Sequence, residues 1–195
     1  RDGLNNRRKL LFSGPPGTGK TMTAHAIAHE LGFSINVVLM ENIVSSFLGE
    51  TSAKLKKVFD RISAKPGVYL FDEFDAIGAD RLGDQHDVGE MRRIVCSFLQ
   101  FIERDDSESI IIAATNSHAL LDKALFRRFD DIFYYRMPNQ EEKIRLVSDR
   151  MGTYKGSYET KDFLVSMENL SNAEIELACY DAIKEAILAD KNTAE

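Results

Sequence analysis

Residues 14–21 read Gly-Pro-Pro-Gly-Thr-Gly-Lys-Thr and match the pattern G-x-x-x-x-G-K-[ST]. A short apolar run precedes this loop, and apolar residues at helical spacing follow it. The glycines allow the backbone to curl around a polyphosphate with its amide N–H groups facing inward, and a helix that starts near Gly19 adds partial positive charge. An ordinary Gly/Pro turn is the alternative, but the four fixed positions match by chance on the order of 1% of the time in a chain this long. The loop therefore predicts a phosphate-binding site between a strand and a helix.

An acidic pair gives a second part of the expected site. Residues 68–73 read Val-Tyr-Leu-Phe-Asp-Glu, an apolar run that ends in two carboxylates, and ligands bind beyond the carboxyl ends of parallel strands. We expect Lys20 to reach the β- and γ-phosphates, Thr21 and Asp72 to bind Mg²⁺, and Glu73 to polarise the attacking water. A solvated acidic turn is the alternative. The candidate residues for binding ATP and Mg²⁺ are Gly14, Pro15, Pro16, Gly17, Thr18, Gly19, Lys20, Thr21, Met22 and Asp72.

Around these motifs, short apolar runs alternate with segments of helical periodicity, which is typical of a parallel sheet with crossover helices. The strand candidates are Lys9 to Phe12, Ile35 to Leu39, Val68 to Phe71, Ile110 to Ala114 and Ile132 to Tyr135. The helical stripes are Ala24, Ile27, Ala28 and Leu31; Leu55, Val58, Phe59 and Ile62; and Val88, Met91, Val95, Phe98 and Ile102. The pattern predicts an α/β fold, with Gly78 to Gly89 as a surface loop.

The pattern changes near Pro138, after which every predicted element is a helix. Asn139 and Glu142 are spaced like a capping box, and so are Ser171 and Glu174. The apolar face of the last helix is predicted to contain Ile175, Ala178, Cys179, Ala182 and Ala186. We therefore expect an α/β nucleotide-binding domain over residues 1–137 and a partial helical lid domain over residues 138–195.

Composition excludes several classes of protein. With 44% hydrophobic and 29% charged residues, the chain matches an ordinary globular protein rather than a disordered, collagen-like or disulfide-rich one. Its longest strongly apolar stretch, Ile110 to Ala114, is far shorter than the roughly 20 residues of a membrane span. A net charge of -6 and a pI near 5.3 give no general attraction to nucleic acid. The first residue, Arg1, is not Met, so we expect a truncated chain.

Two cysteines and one pair of histidines are further candidates for disulfide or metal chemistry. Cys96 and Cys179 lie in apolar-periodic segments and are expected to be buried, reduced thiols, which suits a cytoplasmic protein. His25 and His29 lie four residues apart on one helix but have no evident third ligand. We expect these two histidines to face solvent.

Several motifs in order resemble those of the AAA family of ATPases, over residues 9 to about 190. Besides the phosphate loop, the matching segments are Asp72 to Gly78, Ala113 to Asn116 and Arg127 to Asp130. The resemblance implies a five-stranded parallel sheet of order 5-1-4-3-2 followed by a helical lid. It also implies assembly into rings, usually hexamers, and ATP-driven remodelling of macromolecules.

The resemblance also implies roles for residues outside the loop. Asn116 corresponds to a sensor of the γ-phosphate, although Asn at a strand end is also an ordinary turn residue. Arg127 and Arg128 correspond to arginine fingers that reach a neighbouring subunit's nucleotide, with a solvated charged face or a structural ion pair as the alternatives. Phe47, Leu48 and Gly49 resemble a pore loop that grips a protein client, with a buried Phe47 and a turn at Gly49 as the alternative. Residues 84–90 are a weaker candidate for a second pore loop.

Together these features lead to an expected function. We expect Mg²⁺-dependent ATP hydrolysis by a ring-forming ATPase that remodels or threads a protein, with Glu73, Asn116, Arg127 and Arg128 as the catalytic residues. One alternative is an ATP-gated switch for binding a partner. A DNA-remodelling motor is the other alternative, and the acidic pI disfavours it.

Overall fold

Five short apolar runs form one parallel sheet in the computed structural model, which describes residues 7–43, 48–77, 85–116, 126–154 and 166–189. The strands are β1 Lys9–Ser13, β2 Ile35–Leu39, β3 Val68–Asp72, β4 Ile110–Thr115 and β5 Asp131–Tyr134. Their order is β2-β3-β4-β1-β5, and every neighbouring pair is parallel. The predicted α/β fold and the strand order 5-1-4-3-2 are therefore confirmed.

The strands differ from the prediction only at their ends. β1, β3 and β4 each extend one residue further, to Ser13, Asp72 and Thr115. Tyr135 lies outside β5, because the neighbouring strand β1 ends at Ser13, which is paired with Tyr134. The extended carboxyl ends place polar side chains at one edge of the sheet, where ligands bind in folds of this kind.

The helices follow the predicted stripes, with short additions. The α-helices of the described residues are α1 Lys20–Glu30, α2 Met40–Ile43, α3 Leu48–Ala64, α4 Gln85–Arg104, α5 Gln140–Met151 and α6 Asn172–Leu188. Short 3₁₀ turns occupy Phe74–Ile77 and Gly152–Tyr154. Among the residues that the structure describes, no helix has the length and apolar character needed to cross a membrane.

Residues that lie close together in space form two compact units. The first contains Arg1–Gly14 and Lys20–Tyr134, and the second contains Pro15–Gly19 and Tyr135–Glu195. Five residues of the phosphate loop therefore have most of their neighbours in the helical part of the chain. A domain boundary near Pro138 remains our proposal for how the chain is organised.

Aromatic side chains from α3, α4 and β3 fill the core of the first unit. Phe59 of α3 stacks on Phe71 of β3 with 5.7 Å between ring centroids, and Phe98 of α4 meets Phe71 edge-on at 5.0 Å. Each fully buried ring of this size contributes about 1.5–3 kcal/mol relative to exposure. The sequence stripes of α3 and α4 supply these contacts because residues three and four apart lie on one helix face.

Two helix side chains of the first unit that the sequence predicted to be buried are exposed. Leu31 is 53% exposed because α1 ends at Glu30, and a turn with Gly32 at φ +66° follows. Cys96 is exposed because it lies two residues from both Ile94 and Phe98, which face the core, and so it lies on the other side of α4. The prediction of a buried Cys96 is wrong.

Two predicted loops are partly helical. The loop predicted for residues 78–89 is wrong from Gln85 onward, because α4 begins there and takes in the described part of the proposed second pore loop. Leu48 and Gly49, predicted as part of a pore loop, form the start of α3. Phe47 lies outside the described residues.

The second unit is helical, as predicted. Both predicted capping boxes are present at the starts of α5 and α6, and the core between these helices contains Met151, Met167, Ile175, Cys179 and Ala186. The Ala178 prediction is wrong, because this side chain is exposed beside the buried Cys179. The buried Lys143 ammonium donates to the carbonyls of Met167 and Glu168, which ties α5 to the turn before α6.

Candidate phosphate-binding site

Lys20 is the first residue of α1, and its ammonium group lies close to the backbone of the loop. Its side chain is only 6% exposed, and its ammonium group donates to the carbonyl of Gly14 over 2.7 Å. Burial lowers the pKa of Lys20, while the charges of Asp72 and Asp75 act in the opposite direction. A buried ammonium group bonded to a neutral carbonyl can exchange that partner for an anionic phosphate at a gain in electrostatic energy.

Thr21 and Asp72 are brought together from α1 and the end of β3. The Thr21 hydroxyl donates to Asp72 Oδ2 over 2.8 Å, and the other carboxylate oxygen, Oδ1, accepts the Glu73 backbone N–H over 2.9 Å. A hydroxyl beside a carboxylate is a hard oxygen donor pair, which suits Mg²⁺. Because Mg²⁺ keeps most of its ligands as water and phosphate oxygens, two protein oxygens fit such an ion.

Glu73 has an unusual backbone conformation. Its φ is +55°, and it is the only non-glycine residue with positive φ among those that the structure describes. This left-handed region is sterically unfavourable for a residue with a Cβ, and such residues cluster at functional sites. The exposed side chain of Glu73 follows directly after the buried Phe71 and the half-buried Asp72, at the carboxyl end of β3.

Asn116 follows β4 at the same edge. Its backbone N–H donates to Asp75 Oδ1 over 3.0 Å, and its side chain is exposed. Asp75 lies in the 3₁₀ turn after β3, so this bond joins the segments that follow two neighbouring strands. Sequence reasoning missed the role of Asp75, although its place in the acidic run after β3 was a signal.

The central loop residues bond within the second unit. The Thr18 hydroxyl donates to the carbonyl of Pro15 over 2.7 Å, and the backbone N–H of Ala173 donates to the carbonyl of Gly17 over 3.1 Å. Gly17 has φ +71°, and a Cβ there would meet the side chain of Ser171. Only glycine fits this position, for reasons of both conformation and space.

The other predicted binding residues differ in exposure and in backbone conformation. Pro16 is exposed, while Gly19 adopts φ +101° directly before α1, as its predicted role in a tight curl requires. Met22 is 63% exposed on α1. His25 and His29 are also exposed, and no group of three or more His, Cys, Asp or Glu residues in the described part of the chain could hold a metal ion.

The two arginines before β5 have different surroundings. Arg128 forms an ion pair with Glu103 of α4 over 3.1 Å, whereas Arg127 is exposed and forms no ion pair with any residue that the structure describes. The turn that carries them is anchored because Phe129 is buried and Asp130 accepts the backbone N–H groups of Arg8 and Lys9. A fixed turn therefore presents two guanidinium groups, one of which has a partner.

Comparison with known proteins agrees with this geometry. The family model described as "ATPase family associated with various cellular activities (AAA)" matches residues 10–137. An uncharacterized AAA family ATPase of Sinorhizobium fredii is 38% identical over 186 residues, which cover 95% of this chain and 56% of that protein.

Two further relatives have more specific names. The peroxisomal ATPase PEX6 of Komagataella pastoris is 31% identical over 206 residues, covering 100% of this chain and 18% of that protein. A putative 26S proteasome regulatory subunit homolog of Methanocaldococcus jannaschii is 30% identical over 191 residues, covering 95% of this chain and 51% of that protein. The chain thus spans between about a fifth and just over half the length of these relatives.

Proposed function

The chain belongs to the AAA family of ATPases, and on that basis we propose that the protein is a Mg²⁺-dependent ATPase that assembles into a ring and remodels or threads proteins. The observation that carries this proposal is the hydrogen bond between Thr21 and Asp72, next in sequence to the buried Lys20. It joins the two motifs that the chemistry requires, from segments far apart along the chain.

Nucleotide binding is assigned to the loop Gly14 to Thr21 and to Met22. The backbone N–H groups of the loop cradle the phosphates, and Lys20 exchanges its bond to the Gly14 carbonyl for one to a phosphate oxygen. Thr21 and Asp72 hold Mg²⁺, which when bound neutralises charge on the phosphate oxygens. The side chain of Asp72 is already fixed for this task by the Glu73 backbone N–H.

Hydrolysis is assigned to the groups at the carboxyl edge of β3 and β4. Glu73 polarises the attacking water. Its left-handed backbone conformation, directly after β3, fixes the direction of its side chain. Asn116 orients the same water or contacts the γ-phosphate through its exposed amide, while Asp75 holds the Asn116 backbone in place.

An arginine finger completes the site from a neighbouring subunit. We assign this role to Arg127, because its exposed guanidinium forms no ion pair with the described residues, whereas Arg128 is paired with Glu103. A guanidinium placed at the γ-phosphate stabilises the charge that develops in the transition state. Such an arrangement makes hydrolysis depend on ring assembly, with a hexamer as the proposed form.

The proposed clients are proteins, and the proposed location is the cytoplasm. The name of one relative, a putative 26S proteasome regulatory subunit homolog, supports work on proteins. Phe47 and Leu48 are proposed to grip the client. An acidic pI of about 5.3 supports a protein rather than a nucleic-acid client.

The rate of ATP hydrolysis per subunit, measured against protein concentration, tests the proposal. We expect the specific rate to rise as rings form, and size-exclusion chromatography with and without ATP follows the assembly. Lys20→Ala is expected to abolish nucleotide binding, and Glu73→Gln to retain binding while losing turnover by about 10²- to 10⁴-fold. Normal turnover in Glu73→Gln, or stimulation by DNA instead of unfolded protein, contradicts the corresponding part of the proposal.

A further inference from the structure

The first turn of α6 holds the middle of the phosphate loop. The Gly17 carbonyl accepts the Ala173 backbone N–H over 3.1 Å. A Cβ on Gly17 would lie 2.8 Å from the Cβ of Ser171 and 3.3 Å from that of Ala173, both closer than an ordinary contact of 3.4–4 Å. The loop backbone and the helix start are therefore in direct contact, and a shift of one displaces the other.

Ser171 controls this helix start. It is the N-cap of α6 and is only 4% exposed. Its hydroxyl accepts the Glu174 backbone N–H over 3.3 Å and donates to the Glu174 carboxylate over 2.7 Å, while its own N–H donates to the same carboxylate over 2.8 Å. Without the hydroxyl, the first turn loses its cap and frays, and Ala173 lies within that turn.

We propose that Ser171 is a positioning residue for the phosphate loop: its cap holds the Ala173 amide against the Gly17 carbonyl and so sets the loop conformation that binds nucleotide. This inference rests on the proposed function, because it assumes that the loop binds ATP. Coupling between two sites is reciprocal, so nucleotide in the loop stabilises the first turn of α6 in return. The loss of one such hydrogen bond corresponds to an affinity change of roughly five- to tenfold.

The chain contains its own control for this role. Asn139 caps α5 through a capping box of the same type, in which its side chain accepts the Glu142 backbone N–H over 2.9 Å. Glu142 is bonded in turn to Arg136, so the hydrogen bonds of this cap run to α5 and Arg136 and not to the loop. Removal of either cap is expected to lower helix stability by a similar amount, but of the two caps only that at Ser171 supports the loop.

The test compares Ser171→Ala with Asn139→Ala in the purified protein. A fluorescent ATP analogue with Mg²⁺ is titrated into each variant, and thermal unfolding is followed in parallel. We expect similar losses of thermal stability, a roughly five- to tenfold weaker affinity in Ser171→Ala, and a change of less than about twofold in Asn139→Ala. An unchanged affinity in Ser171→Ala, or equal weakening in both variants, overturns the positioning role.

Amide hydrogen exchange gives an independent measurement that does not need either variant to fold. Adding the Mg²⁺-bound ATP analogue to the wild-type protein is expected to slow exchange of the Ala173 N–H, and not that of Glu141, which has the same place in the first turn of α5. Unchanged exchange at Ala173 in protein that binds the analogue overturns the inference. Failure of the proposed function gives a different result, because the wild-type protein then binds no ATP analogue at all. That result overturns both the proposed function and the positioning role of Ser171.

Discussion

The Thr21 hydroxyl donates a hydrogen bond to the Asp72 carboxylate over 2.8 Å, which connects the first turn of α1 to the last residue of β3. The two residues come from motifs some fifty positions apart, and the sheet brings them together because β1 and β3 both lie beside β4. Asp72 uses its second oxygen for the Glu73 N–H, so one carboxylate fixes both the proposed metal ligand and the proposed base.

Thr21→Ala is expected to lower ATP turnover by about 10- to 100-fold, because it removes an oxygen ligand proposed for Mg²⁺. Thr21→Ser keeps the hydroxyl and is expected to retain most of the activity. Turnover measured over a range of Mg²⁺ concentrations checks this, since the Ala variant should need more Mg²⁺ for half-maximal activity. Equal Mg²⁺ dependence in the two variants contradicts the assignment.

Glu73→Gly is expected to stabilise the fold while abolishing turnover. The wild-type residue has φ +55°, which costs a residue with a Cβ roughly 1 kcal/mol, and glycine adopts this conformation without that cost. Chemical denaturation of the wild type and the variant measures the difference. Glu73→Gln, which keeps the Cβ, serves as the control and should unfold at the wild-type denaturant concentration.

Arg127→Ala subunits are expected to bind ATP and to lose hydrolysis by about 10³-fold or more, because a finger that stabilises transition-state charge is missing. Arg128→Ala is expected to have a smaller effect, similar to that of Glu103→Gln, since the two side chains form an exposed ion pair. Mixing Arg127→Ala with Lys20→Ala subunits should restore part of the activity. A lack of complementation at every mixing ratio argues against catalysis across an interface.

The capping box of α5 gives a pH prediction. Hydrogen bonds from Arg136 and from the Asn139 backbone lower the pKa of Glu142 from 4.5 to about 2. Because this pKa is depressed in the folded state, the stabilisation is fully present above pH 4.5 and is lost as the pH falls toward about 2.

Thermal unfolding of the wild type and of Glu142→Gln, measured at several pH values, checks that the stabilisation by Glu142 is lost as the pH falls. The melting temperatures of the two proteins should differ near neutral pH and converge below pH 4.5. Glu141→Gln, which changes an exposed residue outside the capping box, is the matched control. A difference that grows as the pH falls contradicts the prediction.

The sequence was sufficient to predict the sheet, because each strand contains a short run of apolar residues. This pattern is typical of strands buried on both faces, such as β3 and β4, and it is also present in the more exposed β2 and β5. It also predicted that the Asp72 carboxylate lies at the carboxyl end of the third strand, where ligands bind in parallel sheets. Both capping boxes were predicted correctly, since each depends on two residues three apart.

Other features could not be read from the sequence. α2 and the 3₁₀ turn Phe74–Ile77 are too short to show a periodic pattern. The left-handed φ of Glu73 has no local signal, because glycine is the residue that normally marks such a position. The contact of Gly17 with Ser171 joins distant parts of the chain, and local patterns do not encode such contacts.

That last contact has a consequence for how the protein matures during synthesis. The loop residues leave the ribosome before the helix start that supports them, because Ser171 and Ala173 are translated much later than Gly17. The sheet has all five of its strands once Tyr134 has been made, whereas the support for Gly17 is still missing. A nascent chain can therefore hold a finished sheet and an unfinished loop, so the proposed binding of nucleotide requires translation beyond Ala173.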